Sequence, residues 1–312
     1  MLIAKGNMLM PTSDHTVVAN TFEESYLDET IARKQNRAVA MLLKFWQRKT
    51  AVIAAVYILF MASLCFIGPA VAPYPPAQPD YMNIMAPPNA AHIFGTDEFG
   101  RDVFSRLLAG ARLSLGVALS SVLVGAVLGT FLGVLAGYYG GILETLVMRG
   151  ADVLFAMPDI LLAIAVVAVI GPGVINVFIA VAVFTVPSFA RILRSATLDV
   201  KESLYVEAAR SIGCSNARIL WKYVFPGTIQ SLIVNFTIRI GTAILAAASL
   251  SFLGFGASIS EPDWGAMLSS GRSYIGVASH LVYFPGLVIF LTVLAFNLMG
   301  DGLRDTLDPK IK

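Results

Sequence analysis

Long uncharged runs constrain this chain more than any other feature of its sequence. Residues Ala51–Ala72 contain no charged residue over 22 positions, and Leu113–Tyr139 is a second such run. A helix rises 1.5 Å per residue, so about 20 apolar residues cross the about 30 Å hydrocarbon core of a bilayer. Charged residues make up 13% of the chain, about half of what a soluble domain carries. The sequence therefore predicts an all-α integral membrane protein.

A third run, Ile160–Ala190, is uncharged for 31 residues but is interrupted by Gly171-Pro172-Gly173. One long kinked helix and two helices joined by a tight turn are both compatible with the run itself. Loops on the cytoplasmic side of a membrane are enriched in Lys and Arg. Residues 1–49 contain seven of these residues and residues 191–222 contain six. Two spans within this run place both groups of basic residues on the same side of the membrane, so we predict two helices.

The prediction has six transmembrane helices and places both termini in the cytoplasm. The third to sixth helices are expected at about 146–170, 174–193, 228–252 and 281–299. We divide the chain into a flexible cytoplasmic tail (1–37), a segment with an interfacial helix, the first span and an external loop (38–111), a core of five helices (112–302) that includes a cytoplasmic loop (195–227), and a cytoplasmic C-terminal tail (303–312).

Glycine recurs every four residues in the second span, which places the glycines on one helical face. Membrane helices approach closely where such small residues line up. We predict a helix-packing face formed by Gly125, Gly129, Gly133 and Gly137.

Signatures of enzymes and metal sites are missing from the chain. It has no Gly-Lys dipeptide, so a phosphate-binding loop of the GxxxxGK[ST] type is excluded. His15, His92 and His280 are scattered, and no HExxH or CxxC occurs. We expect no catalytic residue, no metal site and no cofactor on this chain, and active transport on ATP would need another chain to bind the nucleotide.

The predicted cytoplasmic loop has a recognisable local pattern. A short helix is expected to end at Gly213, a second helix to start at Ser215, and Pro226 to break the chain there. Tyr205, Ala209 and Ile212 form a stripe at helical spacing. Such a stripe suits a groove on a partner, and it equally suits a loop that folds onto its own helices.

This loop resembles the EAA loop of bacterial ABC importer permeases. Glu207-Ala208-Ala209 is followed after three residues by Gly213, and after nine more by Tyr223-Val224-Phe225-Pro226. Tyr223 and Phe225 stand where isoleucine and leucine are frequent, and both keep the bulk and apolarity. The resemblance implies a coupling helix that docks on an ATPase subunit, with Tyr205, Glu207, Ala208, Ala209 and Gly213 in the coupling segment.

Three more stretches are similar to one branch of that family, the C-type permease subunits of dipeptide, oligopeptide and glutathione importers. They are residues 95–106 (GTDEFGRDVFSR), 261–267 (EPDWGAM) and 296–309, which ends in LDP. The resemblance covers about residues 40–312 and implies a type I importer permease in the bacterial inner membrane. It further implies a B-type permease as heterodimer partner, two ATPase subunits that bind ATP and Mg, and a periplasmic substrate-binding protein.

Two alternatives stay open beside a peptide importer. Importers of nickel or of a metal chelate share the architecture that the resemblance implies. A secondary carrier or channel would need internal repeats or intramembrane proton relays, and the two halves of the sequence show no convincing repeat.

Charged residues also lie inside the predicted spans. Arg239 is midway along the fifth helix, where a charge that faces lipid costs about 2.5–3.5 kcal/mol. It should therefore face the interior of the bundle. It either lines the translocation path and attracts a peptide carboxylate, or pairs with Asp152 or Asp159. Asn235, one turn earlier, has the same two interpretations.

Charged residues also cluster just before the second span. Asp97, Arg101, Asp102 and Arg106 are predicted to form an ion-pair set. The set either braces the external loop or contacts the binding protein.

Overall fold

The computed structural model describes residues 43–258 and 260–307, and within these residues the regular structure is helical apart from one isolated bridge between Thr96 and Asp102. Residues 43–47 form a helical segment, and the Trp46 side chain in it is 66% exposed. The predicted tail (1–37), the start of the predicted interfacial helix (38–42) and residues 308–312 lie outside the described residues.

The described chain from Lys49 onward is a bundle of helices joined by short turns and one long loop. A π-helical turn, Leu220–Val224, joins two of the helices, and a 3-10 turn, Arg272–Tyr274, follows another. The α-helices are α1 (Lys49–Val71), α2 (Val103–Tyr139), α3 (Gly141–Phe155), α4 (Asp159–Ile170), α5 (Val174–Lys201), α6 (Leu204–Ser211), α7 (Asn216–Ile219), α8 (Phe225–Phe252), α9 (Trp264–Gly271) and α10 (His280–Leu307).

Within the described residues, five helical stretches are long and apolar enough to cross a membrane. A sixth span results when α3 and α4, which meet at an angle of 91°, are counted together. The prediction of one continuous helix over 146–170 is therefore wrong. Pro158 lacks an amide hydrogen and disfavours helical backbone at Met157, so the helix breaks there and restarts at Asp159.

The turn predicted at Gly171-Pro172-Gly173 is confirmed, because α4 ends at Ile170 and α5 begins at Val174. Gly171 has φ 96° and Gly173 has φ 143°, values that side chains with a Cβ rarely adopt. The Gly173 N–H donates to the Phe255 carbonyl at 2.8 Å. This bond holds the α4–α5 turn level with the end of α8.

The four regularly spaced glycines of α2 face α5. A Cβ on Gly125 would lie 2.8 Å from the Thr185 side chain, and one on Gly133 would lie 2.9 Å from the Cα of Ala190. The backbones of α2 and α5 therefore approach more closely than side chains would permit, as small residues allow in membrane helices.

The end of the bundle where α2 begins is held by polar contacts between distant segments. Asp263 caps α9 by accepting from the Ala266 N–H at 2.9 Å and also accepts from the Ser114 hydroxyl of α2 at 2.9 Å. Trp264 is almost fully buried and donates from Nε1 to the Leu107 carbonyl at 3.0 Å. The segment after α8 is thereby fastened to the start of α2.

The predicted external ion-pair set is buried. Arg101 donates to Asp97 at 2.7 Å, and Arg106 lies 3.6 Å from the same carboxylate. Asp102 instead caps α2 through the Ser105 N–H and contacts His92 Nδ1 at 2.9 Å. Burial of these side chains favours bracing of the loop over contact with another protein.

Candidate functional site

The short helix α6 is anchored in the core by one face. Val206 and Ala209 are buried and belong to the main hydrophobic cluster, together with Ile219 and Val224. An eight-residue helix is marginal by itself, so its stability depends on this packing. For Ala209, this burial agrees with the second interpretation of the stripe, a loop that folds onto its own helices.

The opposite face of α6 is exposed and apolar. Leu204 is 83% exposed and Ile212, just after the helix, is 78% exposed, with Ala208 between them. Tyr205 is half-exposed and Glu207 is exposed. We did not predict a role for Leu204 from the sequence. Its i, i+4, i+8 spacing with Ala208 and Ile212 would have indicated that the three side chains share one helical face. The arrangement leaves a small apolar surface with nothing over it in the described chain.

The turn after α6 ends the helix cleanly. Gly213 has φ 82°, and its N–H donates to the Arg210 carbonyl at 3.0 Å. The Cys214 N–H donates to the Ala209 carbonyl at 3.1 Å. This pair of bonds is a Schellman turn, which requires a left-handed residue such as glycine.

Pro226 does not break the chain, which corrects the predicted stop. The Phe225 N–H donates to the Leu220 carbonyl five residues back, so the helix widens into a π-helical turn just before the proline. Pro226 has no amide hydrogen to donate back along the helix, and the wider turn accommodates its ring. As a result the helix is unbroken from Asn216 to Phe252.

Three contacts tie this segment to the bundle. The Tyr205 hydroxyl oxygen would lie 3.1 Å from a Cβ on Gly227, near the start of α8. Lys201 donates to the Tyr138 carbonyl at 2.6 Å, and the Tyr138 hydroxyl donates to Asn216 at 3.1 Å. These contacts link α6 to the start of α8, and they link α2 to the residues on either side of α6.

Two ion pairs lie at the end of the bundle that carries α6. Arg191 donates to Asp152 at 2.8 Å, and Arg194 is paired with Glu144. Asp152 is thus occupied by Arg191 on α5. The predicted pair between Asp152 and Arg239 is not formed.

Arg239 is the charged residue of α8, and it is partly buried. Asp159 is the first residue of α4, a helix that contacts α8. Among residues 43–258 and 260–307, neither Arg239 nor Asp159 forms an ion pair within 4.0 Å. The predicted ion pair between Arg239 and Asp159 is therefore not formed.

Asn235 lies one turn before Arg239 on α8. Its side chain is 7% exposed, and Nδ2 has no hydrogen-bond partner within the described part of the chain. A buried donor without a partner costs about 1–3 kcal/mol. Residues at i and i+4 share a helical face, so an amide donor and a guanidinium lie beside each other.

A helical bundle with this many apolar spans is a multi-pass membrane protein. The chain belongs to the family described as "Binding-protein-dependent transport system inner membrane component", whose family model matches residues 129–312. Residues 39–88 match the "N-terminal TM domain of oligopeptide transport permease C". The protein is accordingly a multi-pass inner-membrane subunit of an ABC importer, and such permeases are not themselves catalytic.

Curated relatives share about half of their residues with this chain. It is 50% identical to "Glutathione transport system permease protein GsiD" of Pectobacterium atrosepticum over 274 residues, which cover 86% of this chain and 91% of that protein. It is 52% identical to the protein of the same description from Escherichia coli O6:K15:H31, over 86% and 90% of the two chains.

A solved structure shares the fold. An inward-facing form of the MetNI methionine ABC transporter matches with a TM-score of 0.54 at 21% identity, over 65% of this chain and 96% of that one. The chain therefore has the type I ABC importer permease fold. In the described residues no group of three or more His, Cys, Asp or Glu side chains could hold a metal ion.

Proposed function

We propose that this chain is the C-type permease of an importer that brings short peptides, glutathione among them, across the inner membrane. The observation that carries the substrate class is the 50–52% identity to glutathione permeases over most of both chains. The match of residues 39–88 to an oligopeptide permease supports the same class.

The segment from Tyr205 to Gly213 is the coupling segment that docks on an ATPase subunit. Its support is geometric, since one face of α6 is fixed in the core and the other presents Leu204, Ala208 and Ile212. A helix laid into a groove is recognised through anchors at this spacing. Exposed Glu207 adds a charge at the rim of the surface.

The assembly contains a B-type permease, two ATPase subunits that bind ATP and Mg, and a periplasmic binding protein. Hydrolysis of ATP takes place on the separate subunits, because this chain has no phosphate-binding loop. The basic residues of 191–222 favour a cytoplasmic coupling segment and cytoplasmic termini. In this assembly the transport core is 112–302, and the first span with its external loop is 38–111. The two tails are 1–37 and 303–312.

Asn235 and Arg239 belong to the translocation path. Both lie midway along α8, where polar side chains mark substrate routes. The four glycines of α2 support the path indirectly, because they hold α2 and α5 together as one unit.

The test is co-purification from native membranes of wild type and of a Glu207→Arg variant. We expect the second permease and the ATPases with the wild type and loss of the ATPases from the variant. Glu261→Arg is the matched control, since Glu261 is exposed beyond the other end of α8. A wild-type chain that co-purifies without any ATPase would contradict the proposal of an ABC importer. Uptake assays with glutathione, dialanine and nickel test the substrate class.

A further inference from the structure

The charges of α4 and α8 lie at similar depths in the membrane. The Gly173–Phe255 hydrogen bond holds the upper ends of these helices level. At 1.5 Å per residue, Asp159 is about 17 Å along α4 from Ile170 and Arg239 is about 20 Å along α8 from Phe252. Both charges are therefore far from either water phase in a core about 30 Å thick.

The break between α3 and α4 creates the acidic side of this region. The bend of 91° at Pro158 exposes Asp159 at the start of an otherwise apolar helix. Broken helices at the depth of the membrane centre are tolerated where they line a cavity. Their ends are common binding sites for ions and charged substrates in transporters.

A direct ion pair between Arg239 and Asp159 would have a shorter distance than the one observed. Elsewhere in the bundle, Arg191 reaches Asp152 at 2.8 Å. Arg239 and Asp159 lie on helices that contact each other, at similar distances from the fastened ends, and stay more than 4.0 Å apart in the described structure. Two opposite charges held near each other without contact can accept a ligand that carries both charges.

The chemistry of a free peptide fits this arrangement. Its carboxylate can take two parallel hydrogen bonds from a guanidinium, and the unpartnered Asn235 amide supplies a further donor one turn away. Its ammonium group is complementary to a carboxylate. A ligand of this kind neutralises both charges while it is bound and leaves them separated when it departs, as conduction requires.

We propose that Arg239 and Asn235 bind the carboxylate of a peptide in transit and that Asp159 binds its ammonium group. This inference rests on the proposed function and names the recognition chemistry of its path. The site holds the peptide at the membrane centre, after release from the binding protein.

The experiment uses the complete transporter in proteoliposomes, with its second permease, ATPases and binding protein. Uptake of radiolabelled glutathione and of dialanine is measured beside ATP hydrolysis. We expect Arg239→Gln and Asp159→Asn each to lower uptake at least about tenfold while stimulated hydrolysis stays within about twofold. The number of peptides moved per ATP then falls. Arg191→Gln, the matched control, should change neither quantity by more than about twofold.

The double variant Arg239→Gln with Asp159→Asn separates binding from bracing. If the two charges bind peptide, uptake by the double variant stays at or below that of the weaker single variant. If they only compensate each other, removal of both restores uptake, and the inference is overturned. It is equally overturned if uptake and hydrolysis fall in the same proportion or if uptake is unchanged. A wild-type transporter that takes up neither peptide would instead overturn the proposed function.

Discussion

The close approach of α2 and α5 can be tested by adding a single methyl group. In Gly133→Ala the new Cβ would lie 2.9 Å from the Cα and 3.0 Å from the carbonyl carbon of Ala190, with the carbonyl oxygen closer still. Ordinary van der Waals contact begins at 3.4 Å. All three atoms are backbone, so no rotamer change relieves the clash and α5 must move away.

The expected cost comes from two opposing contributions. Overpacking of a tight core costs about 1–3 kcal/mol, and the upper half of that range applies because rigid backbone is involved. Replacement of glycine by alanine in a helix contributes up to about 1 kcal/mol in the favourable direction. Gly116→Ala isolates the second contribution, since a Cβ on Gly116 of the same helix meets nothing within 4 Å.

Thermal denaturation of the detergent-purified chain measures the difference between the two variants. The helix-propensity contribution is shared, so Gly133→Ala should be less stable than Gly116→Ala by about 2–3 kcal/mol. At about 2–4 °C per kcal/mol, this lowers Tm by roughly 4–12 °C. Equal Tm values for the two variants would refute the packing argument.

Three further predictions concern separate parts of the molecule. Ile212→Asp should abolish co-purification of the ATPases while Tm of the chain stays within about 2 °C, because the side chain is exposed; retained ATPases would contradict it. Arg106→Ala removes a buried guanidinium 3.6 Å from Asp97 and should lower stability by about 3–5 kcal/mol, whereas unchanged thermal denaturation would exclude a bracing role. The side-chain hydrogen bond from Asn83 holds the pKa of Asp80 below its ordinary value. That stabilisation is present above the unfolded-state pKa and is lost as the pH falls through the folded-state pKa. The protection factors of the amides in this turn, which are corrected for the intrinsic pH dependence of exchange, should therefore fall there, and protection factors that do not change would contradict the assignment.

Much of the architecture could be predicted from local patterns in the sequence. Uncharged runs located the spans, and the distribution of basic residues chose two spans on either side of Gly171-Pro172-Gly173. Each of these features depends only on residues that are neighbours in the sequence. The hydrocarbon thickness sets the length of an apolar run, and a left-handed backbone conformation is set at a single residue. The spacing of the glycines in α2 also indicated a packing face, but not that α5 would cover it.

Features that depend on tertiary contacts were predicted less well. We predicted a break at Pro226 and a continuous helix across Pro158, yet a π-helical turn accommodates the first proline and the chain bends by 91° at the second. The two interpretations of the stripe on α6 stayed open because only the core could decide that Ala209 would be buried. Asp152 and Asp159 were equal candidates for an ion pair with Arg239, and only the structure shows that Asp152 is paired with Arg191.

The unbroken helix from Asn216 to Phe252 has a mechanical consequence. It connects the turn beside the docking face directly to the middle of the membrane, about 35 Å from Asn216 to Arg239 at 1.5 Å per residue. A stiff rod tilted by about 5° at one end carries a group at that distance sideways by about 3 Å. Movement imposed by the ATPase subunits would thus change the distance between Arg239 and Asp159 directly, without any intervening element. The proposed site would hold or release a peptide according to that distance.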